Sequence, residues 1–99
     1  MKRVIDGRTY NPDTAELIVT RYLSEINKFD WEETGLYRAR SGKLFVAGEG
    51  GPRSQWREHD ELDNSTSGGD GLRVVSREEA AEFMLSAGCS REEIKRALL

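Results

Sequence analysis

Residues 36–47 constrain the fold of this chain more than any other stretch. Leu36-Tyr37-Arg38-Ala39-Arg40 and Leu44-Phe45-Val46-Ala47 are strand-forming runs joined by Ser41-Gly42-Lys43. So short a loop, with glycine available for the left-handed conformation, folds its flanks into an antiparallel hairpin. Alternation along the first run sets Tyr37 and Ala39 on one face and Leu36, Arg38 and Arg40 on the other.

The flanking segments carry their own punctuation. Lys2 to Ile5 and Arg8 to Tyr10 surround Asp6-Gly7, a dipeptide that accepts positive φ at both centres of a type I′ turn, so a short hairpin is expected there. Asn11-Pro12-Asp13 is a further turn signal. Residues 14–26 read two ways. Ala15, Ile18, Val19, Tyr22 and Ile26 recur at helical spacing behind an Asn11 N-cap and Pro12, whereas Ile18, Val19, Thr20 and Tyr22 are strand formers by type. The spacing alone favours a helix.

Residues 63–71 hold three glycines and no apolar side chain, so a mobile loop is expected over 58–71, followed by a short strand from Leu72 to Val75. Ser76-Arg77-Glu78-Glu79 and Ser90-Arg91-Glu92-Glu93 are both capping boxes, in which Ser and Glu satisfy each other's backbone N–H. The first predicts a helix presenting Ala80, Phe83, Met84 and Ala87 inward and stopping at Gly88. The second predicts a helix presenting Ile94, Ala97 and Leu98, too short to persist unless it docks. The expected fold is therefore one α+β domain over 1–99: an antiparallel sheet of meander hairpins, β-rich over 1–48, followed by one or two short C-terminal helices in 72–99.

Residue counts remove several classes of function. The single cysteine, Cys89, excludes an internal disulfide and a Cys-clustered zinc site, and the single histidine, His59, excludes a multi-His centre within one chain. No apolar run approaches the ~20 residues that span a bilayer. Asp6 interrupts the start before a signal-peptide core could form. The expectation is a cytoplasmic protein without cofactor, metal or membrane.

Charge is segregated along the chain. Residues 34–57 carry five basic side chains (Arg38, Arg40, Lys43, Arg53, Arg57) and one acidic (Glu49), while residues 58–99 carry ten acidic and five basic. With Tyr37, Phe45 and Trp56 interleaved, the basic stretch resembles a surface for single-stranded nucleic acid. The net charge of −3 opposes that reading, because non-specific affinity rests on phosphate neutralisation. Arg38, Arg40, Lys43, Glu49, Arg53, Trp56 and Arg57 are the candidate binding residues. Whether Arg38, Glu49 and Trp56 meet at one exposed spot discriminates among the readings.

Gly48-Glu49-Gly50-Gly51-Pro52 lacks the Lys-Ser/Thr of a phosphate-binding loop and reads better as a tight turn out of a strand. Ser54, Glu58, His59 and Asp60 include the side chains of a hydrolase, but neighbours in sequence seldom converge on one point. A small hydrolase or nuclease centred on His59 and Glu49 is the weakest alternative. Cys89, just past a helix-ending glycine, reads as a packed thiol.

The block from Leu36 to Pro52, followed by Ser54 and Trp56, resembles a widespread group of small bacterial and phage proteins with the pattern L-Y-R-x-K-x-G-x-[YF]-F-L-x-G-E-G-G-x-x-S-x-[YW]. Asp6-Gly7-Arg8-Thr9-Tyr10, Thr14-Ala15-Glu16 and Val75 to Ala80 are similar to the same group's opening and closing segments. The resemblance implies strand for residues 14–26. It also implies a non-enzymatic accessory protein of phages and mobile elements in a bacterial host cell, binding a host protein or ribonucleoprotein, as an inhibitor of host defence such as CRISPR would. The final twelve residues lie outside it.

Overall fold

A computed structural model describes residues 2–23, 31–60 and 65–98. In chain order its elements are β1 (Arg3–Ile5), β2 (Arg8–Tyr10), β3 (Glu16–Leu23), β4 (Glu32–Arg38), β5 (Leu44–Gly50), β6 (Glu58–Asp60), β7 (Ser65–Ser67), β8 (Gly69–Val75), α1 (Arg77–Ser86) and α2 (Arg91–Leu98). The strands β3-β4-β5-β8 form one antiparallel sheet in that order, and β1-β2 and β6-β7 are separate pairs. The fold is α+β, with the helices following the strands as the sequence implies.

Local chemistry accounts for the turns. Asp6 and Gly7 take φ of 50° and 76°, the double positive φ that a type I′ turn requires. In the central hairpin the Gly42 N–H donates to the Ala39 carbonyl and the Ala39 N–H to that of Lys43, with Gly42 at φ 92°. The loop proper is thus Arg40-Ser41-Gly42, closed by a left-handed glycine.

Residues 16–23 form a strand, so the helix favoured by spacing alone is not formed; residues 24–26 lie outside the described residues. The pairing of β3 with β4 shifts between Leu17 and Val19, a bulge that inserts Ile18. A bulge places two successive side chains on one face. Ile18 and Val19 both pack toward the helices. That interruption of the two-residue period accounts for the adjacent apolar pair in the helical pattern, whereas Ala15 and Tyr22 lie on the opposite face.

The expected mobile loop over 58–71 instead holds strands at 58–60, 65–67 and 69–71, while residues 61–64 lie outside the described residues. Residues 58–60 pair with 65–67, and residues 69–71 belong to β8, where Gly69 and Gly71 lie opposite Gly50 and Gly48. Close packing selects these glycines. A Cβ on Gly71 would fall 2.7 Å from the Trp56 ring, and one on Gly69 2.5 Å from the Trp56 carbonyl oxygen. Their small size lets Trp56 lie against the strand, so their lack of apolar side chains signals contact, not disorder.

The sheet is packed on both faces. On one, Leu36, Leu44, Val46, Trp56 and Val75 meet Ala80, Phe83 and Met84 of α1 and Leu98 of α2. Burying Phe83 or Met84 contributes about 1.5–3 kcal/mol each. Ser76 and Glu79 form the expected capping box on α1, and Ser90 and Glu93 exchange the same pair of hydrogen bonds on α2. Gly88, at φ 92°, ends the first helix, and the following Cys89 N–H returns to the Met84 carbonyl at 2.9 Å. The short second helix docks through buried Leu98 and half-buried Ile94 and Ala97. On the other face, Tyr10 joins Phe45, Ala47 and Leu72, with Ile5, Ala15 and Tyr37 half-buried around them. The first hairpin covers this face toward the β4–β5 loop and leaves the far end open. Among the described residues no helix is long and apolar enough to cross a membrane.

Candidate binding surfaces

The basic residues singled out from the sequence do not form one surface. Arg38 lies on the helix-packed face, where its guanidinium donates to Glu16 at 3.0 Å and to the Ala97 carbonyl, tying β4 to β3 and to the end of α2. Arg40 and Lys43 are exposed at the β4–β5 loop. Arg53 and Arg57 follow the opposite end of β5, and Arg57 donates to the Ser54 carbonyl at 3.1 Å. Trp56 is a correction: it is 8% exposed and belongs to the core. Glu49 occupies the opposite face of the sheet from Arg38, since it pairs with Glu33, whereas Arg38 is in register with Leu44. Arg38, Glu49 and Trp56 therefore do not meet. Arg38 reaches its acidic partner on β3, not Glu49.

Trp56 anchors a buried polar network under α1. Its indole N–H donates to the Thr34 hydroxyl at 2.8 Å, and that hydroxyl donates to Glu32 at 2.9 Å. Glu32, 3% exposed, also accepts from Arg21 at 2.6 Å and from the side chain and backbone of Gln55 at 2.9 and 3.2 Å. Burial pushes this carboxyl up, but the hydrogen bonds from Arg21, Gln55 and Thr34 outweigh it and hold the group below its ordinary value. Arg21 lies 4.6 Å above the Phe83 ring and donates to Ser86 at 3.0 Å, so the network ties the sheet to α1. Ser54, one of the hydrolase-like candidates, is buried; its hydroxyl donates to the Gly51 carbonyl and accepts from the Trp56 N–H. The side chains of His59 and Asp60, and all of Glu61, lie outside the described residues. Cys89 packs beside the helical core, and burial together with the Glu93 charge pushes its thiol up.

The open end of the second face holds a different arrangement. Register places Tyr22, Glu33, Glu49 and Asp70 side by side across all four strands. All four are exposed. Beneath this row lies an open hollow of about 270 Å³ whose lining includes Gly35, Ala47 and Tyr37 with the three carboxylate residues; among the described residues no Lys or Arg lines it. Tyr37 stacks on Phe45 at 5.2 Å and lies over Gly35, where a Cβ would meet its ring at 2.8 Å. Burial and the charges of Asp13 and Glu33 push the Tyr37 hydroxyl above its ordinary value, so it remains a donor at neutral pH.

Carboxylates directly opposite one another on neighbouring strands destabilise a sheet. Among the described residues no three His, Cys, Asp or Glu side chains are grouped to hold a metal ion, so the row is spread, not convergent. It offers an extended line of negative charge over a small apolar floor. Sequence reasoning singled out Glu49 and missed Glu33 and Asp70. Counting back from the loop would have paired Glu33 with Glu49, whereas Asp70 depends on a pairing across the long β5–β8 connection.

No protein-family model, curated protein or solved structure matches this chain.

Proposed function

We propose that this chain is a non-enzymatic binding module whose open acidic sheet face engages a basic surface on a protein or ribonucleoprotein partner. The observation that carries the reading is the Glu33-Glu49-Asp70 row, in register on three adjacent strands, with no cation among the described residues that line its hollow. Repulsion inside the row costs stability that a positively charged partner surface would recover on binding. The shallow apolar floor and the neighbouring Tyr22 and Tyr37 suit a protein contact, in which aromatic side chains supply area and the carboxylates supply steering. The motif resemblance to phage and mobile-element proteins supports a host defence complex as that partner.

Affinity capture from a bacterial host lysate tests the reading. The wild-type chain is expected to retain specific host protein at low salt and to lose it in Glu33→Lys/Glu49→Lys. Glu92→Lys, exposed on α2, serves as a charge control and is expected to retain it. Identical retention by the charge-reversed and wild-type chains would overturn the proposal.

A further inference from the structure

At the opposite end of the central hairpin, β2, the Asn11 turn and the β4–β5 loop enclose a second open hollow of about 400 Å³. Arg8, Thr9, Asn11, Thr14, Arg40 and Ser41 line it, and among the described residues no carboxylate does. Arg8 and Arg40 are exposed, and neither is ion-paired among the described residues. Asp6 and Asp13 belong to the adjoining turns but do not line the hollow; the Asp13 charge acts on Tyr37 instead.

Both walls are fixed by their own hydrogen bonds. The Asn11 side-chain oxygen accepts the Asp13 N–H at 3.0 Å, and its carbonyl accepts from the Thr14 and Ala15 N–H groups at 3.1 Å each. Opposite, the left-handed Gly42 closes the loop that carries Arg40 and Ser41. The Thr14 hydroxyl already donates to the Asn11 carbonyl at 3.3 Å, which leaves two guanidinium groups and the Thr9 and Ser41 hydroxyls as a donor-rich concavity that suits a phosphate oxygen cluster. Charge continues past it: Lys2, Arg3 and Lys43, all exposed, are carried by the same hairpin and loop. Successive phosphates along a chain match that spread better than one isolated phosphate. Among the described residues no aromatic side chain lines the hollow to stack on a base.

We infer that this basic hollow binds the phosphodiester backbone of a nucleic acid without reading its sequence. The inference is carried by different residues from those of the acidic face. Titrating a labelled single-stranded oligothymidylate by anisotropy across a series of salt concentrations tests it. Arg8 and Arg40, each neutralising one phosphate, contribute about −1.4 to the slope of log K against log salt, contacts from Lys2, Arg3 or Lys43 steepen it further, and Arg8→Ala or Arg40→Ala reduces the steepness by about 0.7. Lys95→Ala, on α2, is expected to leave it unchanged. Amide resonances of residues 8–14 and 39–42 should shift with the oligonucleotide in the wild-type chain. Absent binding at low salt, or an unchanged slope in both arginine variants, overturns the inference. So does capture of a phosphoserine peptide through Arg8 and Arg40 by a chain that does not bind oligothymidylate.

Discussion

Glu32 accepts four hydrogen bonds while almost fully buried, from Arg21, Thr34 and twice from Gln55. Placing a carboxylate there costs several kcal/mol of solvation, which these donors offset, so removing one member leaves a buried charge unmet. The network carries a signed pH dependence. The folded-state carboxyl is held below its ordinary value of 4.5, so its contribution is complete above that pH and is lost as pH falls through the lowered value. Lowering pH from about 6 to about 3 should therefore reduce the urea midpoint of the wild-type chain more steeply than that of Glu32→Gln. Glu79 and Glu93, also held low by their capping hydrogen bonds, remain in both chains and set a common background. Parallel midpoint curves for the two proteins would remove Glu32 from the acid response.

Among the elements, the central hairpin was the most legible. Its short glycine loop fixes which residues oppose each other, and that register runs unbroken from Arg38·Leu44 to Glu32·Gly50. The capping boxes came next, because a helix start is a four-residue event needing no tertiary partner. Contacts from distant sequence were less legible. The bulge in β3 follows from packing Ile18 and Val19 against helices some sixty residues on, and the glycines of β8 are selected by Trp56. The exposed-aromatic reading of Trp56 failed for the same reason: nothing local announces that Thr34 will receive its indole N–H. The register nevertheless yields a stability test. Glu49 stands between Glu33 and Asp70, so Glu49→Gln removes repulsion on both sides and should stabilise the fold by about 0.2–1 kcal/mol. The urea midpoint at low salt measures this, and the gain should shrink as salt screens the row. A destabilised variant would mean that Glu49 makes a favourable contact in the folded chain.

At the scale of the molecule, the acidic row and the basic hollow lie toward opposite ends of one β4–β5 hairpin; no described residue lines both hollows, which adjoin at Asn11 and Pro12. A net charge of −3 hides this polarity, which is why summed charge argued against nucleic acid while a local surface favours it. The two proposed contacts together would suit a ribonucleoprotein, where basic protein and phosphate backbone lie side by side. This polarity also makes the two contacts separable, because each depends on its own charges and the sheet between them is held by its core. Arg8→Ala/Arg40→Ala should abolish the salt-dependent oligothymidylate signal and leave capture of a protein partner intact. Glu33→Lys/Glu49→Lys should do the reverse. Combining all four changes should remove both, with no loss beyond the sum of the two pairs, as independent sites require. Loss of both activities from either pair alone, in a chain that still melts cooperatively, would mean one continuous interface and not two.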